Sequence, residues 1–230
     1  MDTVLALGVK EASSLACEGT ALLMTERPLD AISKFNCGLE VLRVVVGGTY
    51  ESHYKSTTDA ERSRTAPVHE FIQAKVPGLA DERFYVFDFA MLYAEDNGGQ
   101  IDHGTAIVRC AAVIFNLALC FHKLGKATKS EDALRSSINL YRTCAQLLLT
   151  TEDAQECSLV ALFTMAAFNN EACLHFDLGC PEEYYRIQAE ISRAANATRK
   201  EWSPAQQQLV KEFHINFAVT ESCAPAAGTA

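Results

Sequence analysis

The chain lacks the short motifs that mark many enzymes and nucleotide-binding proteins. It has no Gly-x-Gly-x-x-Gly and no phosphate loop, and Val46-Gly47-Gly48-Thr49, with no Lys after it, reads as a helix stop. There is no Gly-x-Ser-x-Gly nucleophile elbow. His69-Glu70 begins like a zinc-protease motif, but no second His follows in register. These absences leave catalysis without a positive signal, and neither a cofactor nor a metal is expected.

Other scarcities bound the partners. Positive charge is in deficit: the net charge is −9 and the pI about 5.2, so no overall field draws the protein to nucleic acid or anionic lipid. No concentrated Lys/Arg run occurs. Nine cysteines are present, but the number is odd and no Cys-x-x-Cys exists, which argues for small buried hydrophobes over a disulfide framework. The opening Met1–Lys10 has an acid at position 2 and an apolar run too short for a secretory core. The longest uncharged stretches, around Cys110–His122 and Cys157–Asn170, fall short of the roughly 18 apolar residues of a membrane span. The expectation is a soluble intracellular protein of the cytoplasm or nucleus, with no nucleic-acid and no membrane partner.

What the chain does have is a repeated segment. Phe115-Asn116-Leu117-Ala118-Leu119-Cys120-Phe121-His122-Lys123-Leu124-Gly125 is echoed 54 residues on by Asn169-Asn170-Glu171-Ala172-Cys173-Leu174-His175-Phe176-Asp177-Leu178-Gly179. Each closes an apolar helix with Asn, a small residue, an aromatic or His, then Leu-Gly. Repetition on this scale implies a helical array, a class that usually binds other proteins.

Periodicity supplies the helices. Ala12, Leu15, Ala16, Gly19, Leu22 and Leu23 make one stripe on a helix from about Lys10 to Glu26. Pro28 opens a second helix with Ala31, Ile32, Phe35, Leu39 and Leu42 inward, which Gly47-Gly48 should end. From Gly104 to Leu124 the sequence is apolar nearly all round, a buried inner helix. Ala133, Leu134, Ile138, Tyr141, Leu147 and Leu148 form a one-sided outer stripe. Leu159–Leu178 repeats the inner type, and Tyr184, Ile187, Ile191 and Ala194 repeat the outer.

Residues 49–82 turn polar and read as a long insertion or loop, the natural place for regulation or proteolysis. Phe84–Tyr93 is aromatic and β-branched at first, and Phe213–Val219 alternates, so the two are candidates for a short β ribbon. Ser203-Pro204-Ala205-Gln206 reads equally as a capping box whose helix would run into 213–219. The tail 224–230 has nothing to pack with and is expected to be disordered.

These residues resemble tetratricopeptide repeats. Gly19-x2-Leu22 followed by Ala31-x3-Phe35 has the family's spacing of small and aromatic positions, and the segments around Asn116–Gly125 and Asn170–Gly179 keep the order of its first helix. The second helices depart: Ala133 arrives three residues late with Ser137 after it, and Tyr184 and Gln188 stand where Ala and Phe are usual. The chain is thus similar to divergent tetratricopeptide-like proteins with lengthened helices. The resemblance implies an all-α, right-handed array of stacked antiparallel hairpins as one domain over 1–223. It also implies a concave face lined by first helices, where an Asn hydrogen-bonds the backbone of an extended ligand.

On that basis Asn116 and Asn170 are the candidate partner-binding residues, with Lys123 and Asp177 beside them seven positions on. One cation and one anion do not make a carboxylate clamp. Cys120-x-His122 and Cys173-x-His175 point about 200° apart on a helix, so neither pair shares a metal ion. The expected function is a protein-interaction module or scaffold for a partner's peptide or helix. The alternatives are a helical enzyme or small-molecule binder with a pocket under the 49–82 insertion, using His69, Glu70 or His103, and a structural subunit of a larger complex.

Overall fold

Seven helices and one β-hairpin account for the described part of the chain, which in this computed structural model is residues 2–53, 71–79, 86–93, 103–151, 158–198 and 202–223. The helices are α1 (Asp2–Met24), α2 (Pro28–His53), α3 (His103–Thr128), α4 (Glu131–Leu149), α5 (Ser158–Asp177), α6 (Pro181–Thr198) and α7 (Pro204–Cys223). Strands β1 (Phe71–Lys75) and β2 (Phe89–Tyr93) pair antiparallel between α2 and α3. The fold is all-α apart from this hairpin.

Each helix packs chiefly on its sequence neighbours. α1 lies on α2, α3 on α4 and α5 on α6, while α2 against α3 and α4 against α5 join the three hairpins into a stack. α7 closes the end against α5 and α6. In the first hairpin Val9, Ala12, Ala16 and Leu23 face Ala31, Phe35 and Leu42, all buried. A Cβ on Gly19 would come within 2.9 Å of the Phe35 ring, so the small residue lets the aromatic lie against α1. Phe115 is the hub between hairpins, its ring centroid 5.3 Å from both Tyr141 of α4 and Phe163 of α5.

The two Leu-Gly pairs do different jobs. Gly179 sits at φ +72 just past α5, where Gly179 N donates to Phe176 O and Cys180 N to His175 O, a left-handed helix stop. Gly125 lies inside α3, which continues to Thr128, and Lys129 takes the left-handed turn instead. A Cβ on Gly125 would be 2.5 Å from Leu134 Cδ2 and 3.0 Å from Leu134 N, so here glycine permits close approach of α4.

Several local expectations are corrected. α2 does not stop at Gly47-Gly48 but runs through them to His53, so the 49–82 segment begins as helix, and its 71–75 portion is a strand. The expected ribbon of 84–93 with 213–219 is not formed. β2 pairs with β1, and 213–219 lies within α7, whose start carries the capping box: Gln206 N donates to Ser203 Oγ at 3.3 Å and Ser203 N to Gln206 Oε1 at 2.8 Å. A continuing helix satisfies its own backbone, which a lone ribbon strand would not. Gly104–Thr128 is long and apolar enough to cross a membrane by length and composition, contrary to the count of uncharged runs, because its apolar residues outweigh the few charges it carries. Its apolar window is 72% buried among the other elements. His69, Glu70 and the tail 224–230 lie outside the described residues, as does the side chain of His103.

Candidate functional site

Asn116 and Asn170 are both fully buried on the inner helices α3 and α5, and each grips the main chain of an extended segment. Asn116 Oδ1 accepts from Met91 N and its Nδ2 donates to Met91 O, both at 2.8 Å. Asn170 does the same to Phe87, at 2.8 Å from the N–H and 2.9 Å to the carbonyl. The segment held is the chain's own: residues 86–91, leading into and forming β2.

Strand alternation explains why this is possible. Residues 73 and 91, and 74 and 90, are opposite one another, and Val76 N donates to Asp88 O at 2.6 Å. Positions 88 and 90 therefore turn their backbone groups to β1, while 87 and 91 turn theirs to the other edge. That edge would otherwise carry unpaired groups inside the protein, and the two amide side chains satisfy them. Lys123 joins from the next turns of α3: its Nζ donates to Pro77 O at 2.7 Å and lies 3.7 Å from Glu26. Thus two of the four residues singled out from the sequence hold residues 86–91, and Lys123 holds Pro77 just past β1. Asp177 does not; it pairs with Lys126 of α3 at 2.7 Å and ties the inner helices together.

Behind the clamp is a polar chain that periodicity did not reveal. Asn169 Nδ2 donates to Asn170 Oδ1, Asn216 Nδ2 donates to Asn169 Oδ1 at 2.7 Å, and Tyr184 donates to Asn216 O at 2.7 Å. On the α4 side the buried Tyr141 hydroxyl bonds with Asn170 and Ser137, and Ser137 Oγ donates to Ala118 O at 2.9 Å. Burial pushes the Tyr141 phenol up, so it stays neutral. The doubled Asn169-Asn170 in an otherwise apolar helix was the available signal, since adjacent amides there must find partners. Asn216 carried no such signal.

Side chains complete the site. Phe87 packs with Phe115 at 6.0 Å and Phe213 at 6.3 Å between centroids. Met91 borders a cleft among α1, α2 and α3 that also meets Ala12, Val113 and Arg109, whose guanidinium lies 3.5 Å from Ser13 Oγ. This cleft holds about 20 Å³, room for a water, against the hundreds a small-molecule site needs. Among the described residues its lining includes none of 49–82.

The two Cys-x-His pairs go separate ways. Cys120 is buried, its thiol pushed up to about 12, and His122 Nδ1 is 3.3 Å from the Tyr141 hydroxyl. Cys173 lies beside Asn216, and His175 meets Arg142, which binds the buried Glu171 at 2.9 Å through Nε. Among the described residues no three potential ligands gather for a metal.

No family matches the sequence, and a search of curated proteins finds no match either. Among solved structures the chain is similar to the crystal structure of a de novo designed helical repeat protein, DHR64, at 12% identity and a TM-score of 0.32, covering 96% of this chain and 95% of that one. A likeness so loose adds nothing to the packing described above.

Proposed function

We propose that the protein is a non-enzymatic interaction module, a divergent tetratricopeptide-like array whose inner helices receive an extended segment of a partner protein. The observation that carries this reading is the pair of two-bond amide clamps at Asn116 and Asn170, one on each inner helix. Such a clamp reads main chain, so it accepts an extended segment whatever its sequence, and leaves specificity to the neighbouring side-chain pockets. The net charge of −9 and the lack of a basic run favour a protein partner over nucleic acid or anionic lipid. The setting that fits is the cytoplasm or nucleus.

Affinity capture from native lysate with cross-linking, followed by mapping of the linked positions, tests this. The expected result is a partner linked to the inner face of α3 and α5 or to the 86–93 segment, and lost when a peptide with the sequence of residues 84–93 is added in excess. Links confined to α4 and α6, or insensitive to that peptide, would overturn the groove and leave only an outer-surface scaffold. No captured protein under any condition would overturn the interaction reading itself.

A further inference from the structure

The inner face is already filled by residues 86–91, and the way they are held says what they stand in for. We infer that this segment is a resident ligand. The occupant it keeps the place for is an extended partner segment with an aromatic side chain and, four residues on, a long unbranched apolar one, which enters by displacing it. The inference rests on the interaction reading above and specifies its ligand.

Two clamps 54 residues apart on the helices meet strand residues four apart, Phe87 and Met91. At about 3.3 Å per strand residue that is roughly 13 Å, a reach any extended chain reproduces. Both clamps bond main-chain atoms of the segment, so nothing in those bonds distinguishes it from one supplied in trans. The side-chain sites do select: one is walled by Phe115 and Phe213, the other opens beside Ala12 and Val113.

The Asn170 clamp is organised without the strand. Asn170 is oriented by Asn169, which is in turn held by Asn216, and by Tyr141. A site whose donors are fixed by the helices keeps its shape when its occupant leaves. The rest of the hairpin is held mainly by apolar burial, of Val76, Leu79 and Ala90 among others. β1 pairs with β2. The Lys123 bond to Pro77 O has a substitute in place, since Glu26 lies 3.7 Å from the same ammonium.

Two measurements on the full chain decide it. Native-state hydrogen exchange should show the Phe87 and Met91 amides opening roughly tenfold or more faster than the Phe115 and Phe163 amides, through a local step that spares α3 and α5. A fluorescent peptide with the sequence of residues 84–93 should bind Phe87→Ala/Met91→Ala roughly tenfold tighter than the wild type, because the internal competitor is weakened and the clamps are untouched. Exchange of those two amides only with global unfolding overturns the inference, and so does equal peptide affinity in the two proteins. A variant dimer that the peptide does not dissociate would make a second copy the occupant and overturn the partner assigned here. If the variant does not fold, the exchange rates of the wild type decide alone. Protected amides together with a partner linked to outer helices sink this inference and spare the interaction reading. Local opening with peptide binding but no captured partner does the reverse.

Discussion

Replacing Asn116 by Ala tests the clamp most directly. The side chain is fully buried, and its loss strands the Met91 N–H and C=O, which pair with the two amide atoms at 2.8 Å. Each buried backbone group left unpaired costs about 1–3 kcal/mol, so the pair predicts a loss of about 3–5 kcal/mol once the small cavity is included. Against a typical stability of roughly 5–15 kcal/mol the variant should fold but with a clearly lower urea midpoint at unchanged slope. Asn170→Ala should cost more, because Asn170 also bonds Tyr141 and Asn169. Asn116→Asp sharpens the test: it keeps the acceptor for Met91 N–H but turns a second oxygen toward the Met91 carbonyl. Burial should raise that carboxyl in the fold above its unfolded value. The penalty is then full above the folded value, shrinks as pH falls through it, and vanishes below about 3.9, the unfolded value. An Asn116→Ala loss below about 1 kcal/mol, or an Asp variant whose deficit ignores pH, would refute the claim that the clamp seats the strand.

Three further outcomes follow from the geometry. Gly125→Ala must push Leu134 side chain and backbone, and should cost about 1–3 kcal/mol, whereas Gly179→Ala meets no atom within 4 Å and should cost only about 1 kcal/mol for its left-handed φ; urea unfolding that finds the reverse order contradicts the roles given to the two glycines. Burial raises the Asp88 carboxyl, with Lys75 at 3.9 Å partly opposing it, so its charged form weakens the fold. That penalty is present above the folded value and lost as pH falls below the unfolded one. Asp88→Asn should therefore be the more stable protein near neutral pH and lose its advantage toward about pH 4, and equal stability throughout would contradict it. Thiol labelling near neutral pH read by mass spectrometry should modify exposed Cys17 and Cys37 and spare Cys120 and Cys144, whose thiols burial pushes up, until denaturant is added; prompt labelling of Cys120 would show that α3 is not buried as described.

Much of the helical scaffold was legible because each hairpin buries one stripe of side chains. Ala12, Ala16, Leu23, Ala31, Phe35 and Leu42 were placed inward by spacing alone and are inward in the fold. The capping box at Ser203 was equally local, and it overruled the apparent alternation of 213–219, since a capped helix satisfies its backbone without outside help. The hairpin was less legible. Phe71-Ile72-Gln73-Ala74-Lys75 is one short run in a polar stretch, and what makes it a strand is the partner 89–93, which is not encoded nearby.

The site divides along the same line. By itself the sequence determined that two asparagines stand at matching places on two inner helices, because a helix position fixes its own face and the 54-residue echo fixes the pair. It also determined that Lys123 shares the face of Asn116. Only the tertiary structure decided what those amides hold. Hydrogen bonds from Asn170 to Phe87 and from Asn116 to Met91 span 83 and 25 residues, and no local pattern records a contact of that range. It likewise decided that Asp177 serves Lys126, and that Asn216 on the last helix steadies the clamp. Helix periodicity is a property of a few consecutive residues, whereas the pairing of a buried donor with its acceptor is settled only when the whole chain has packed.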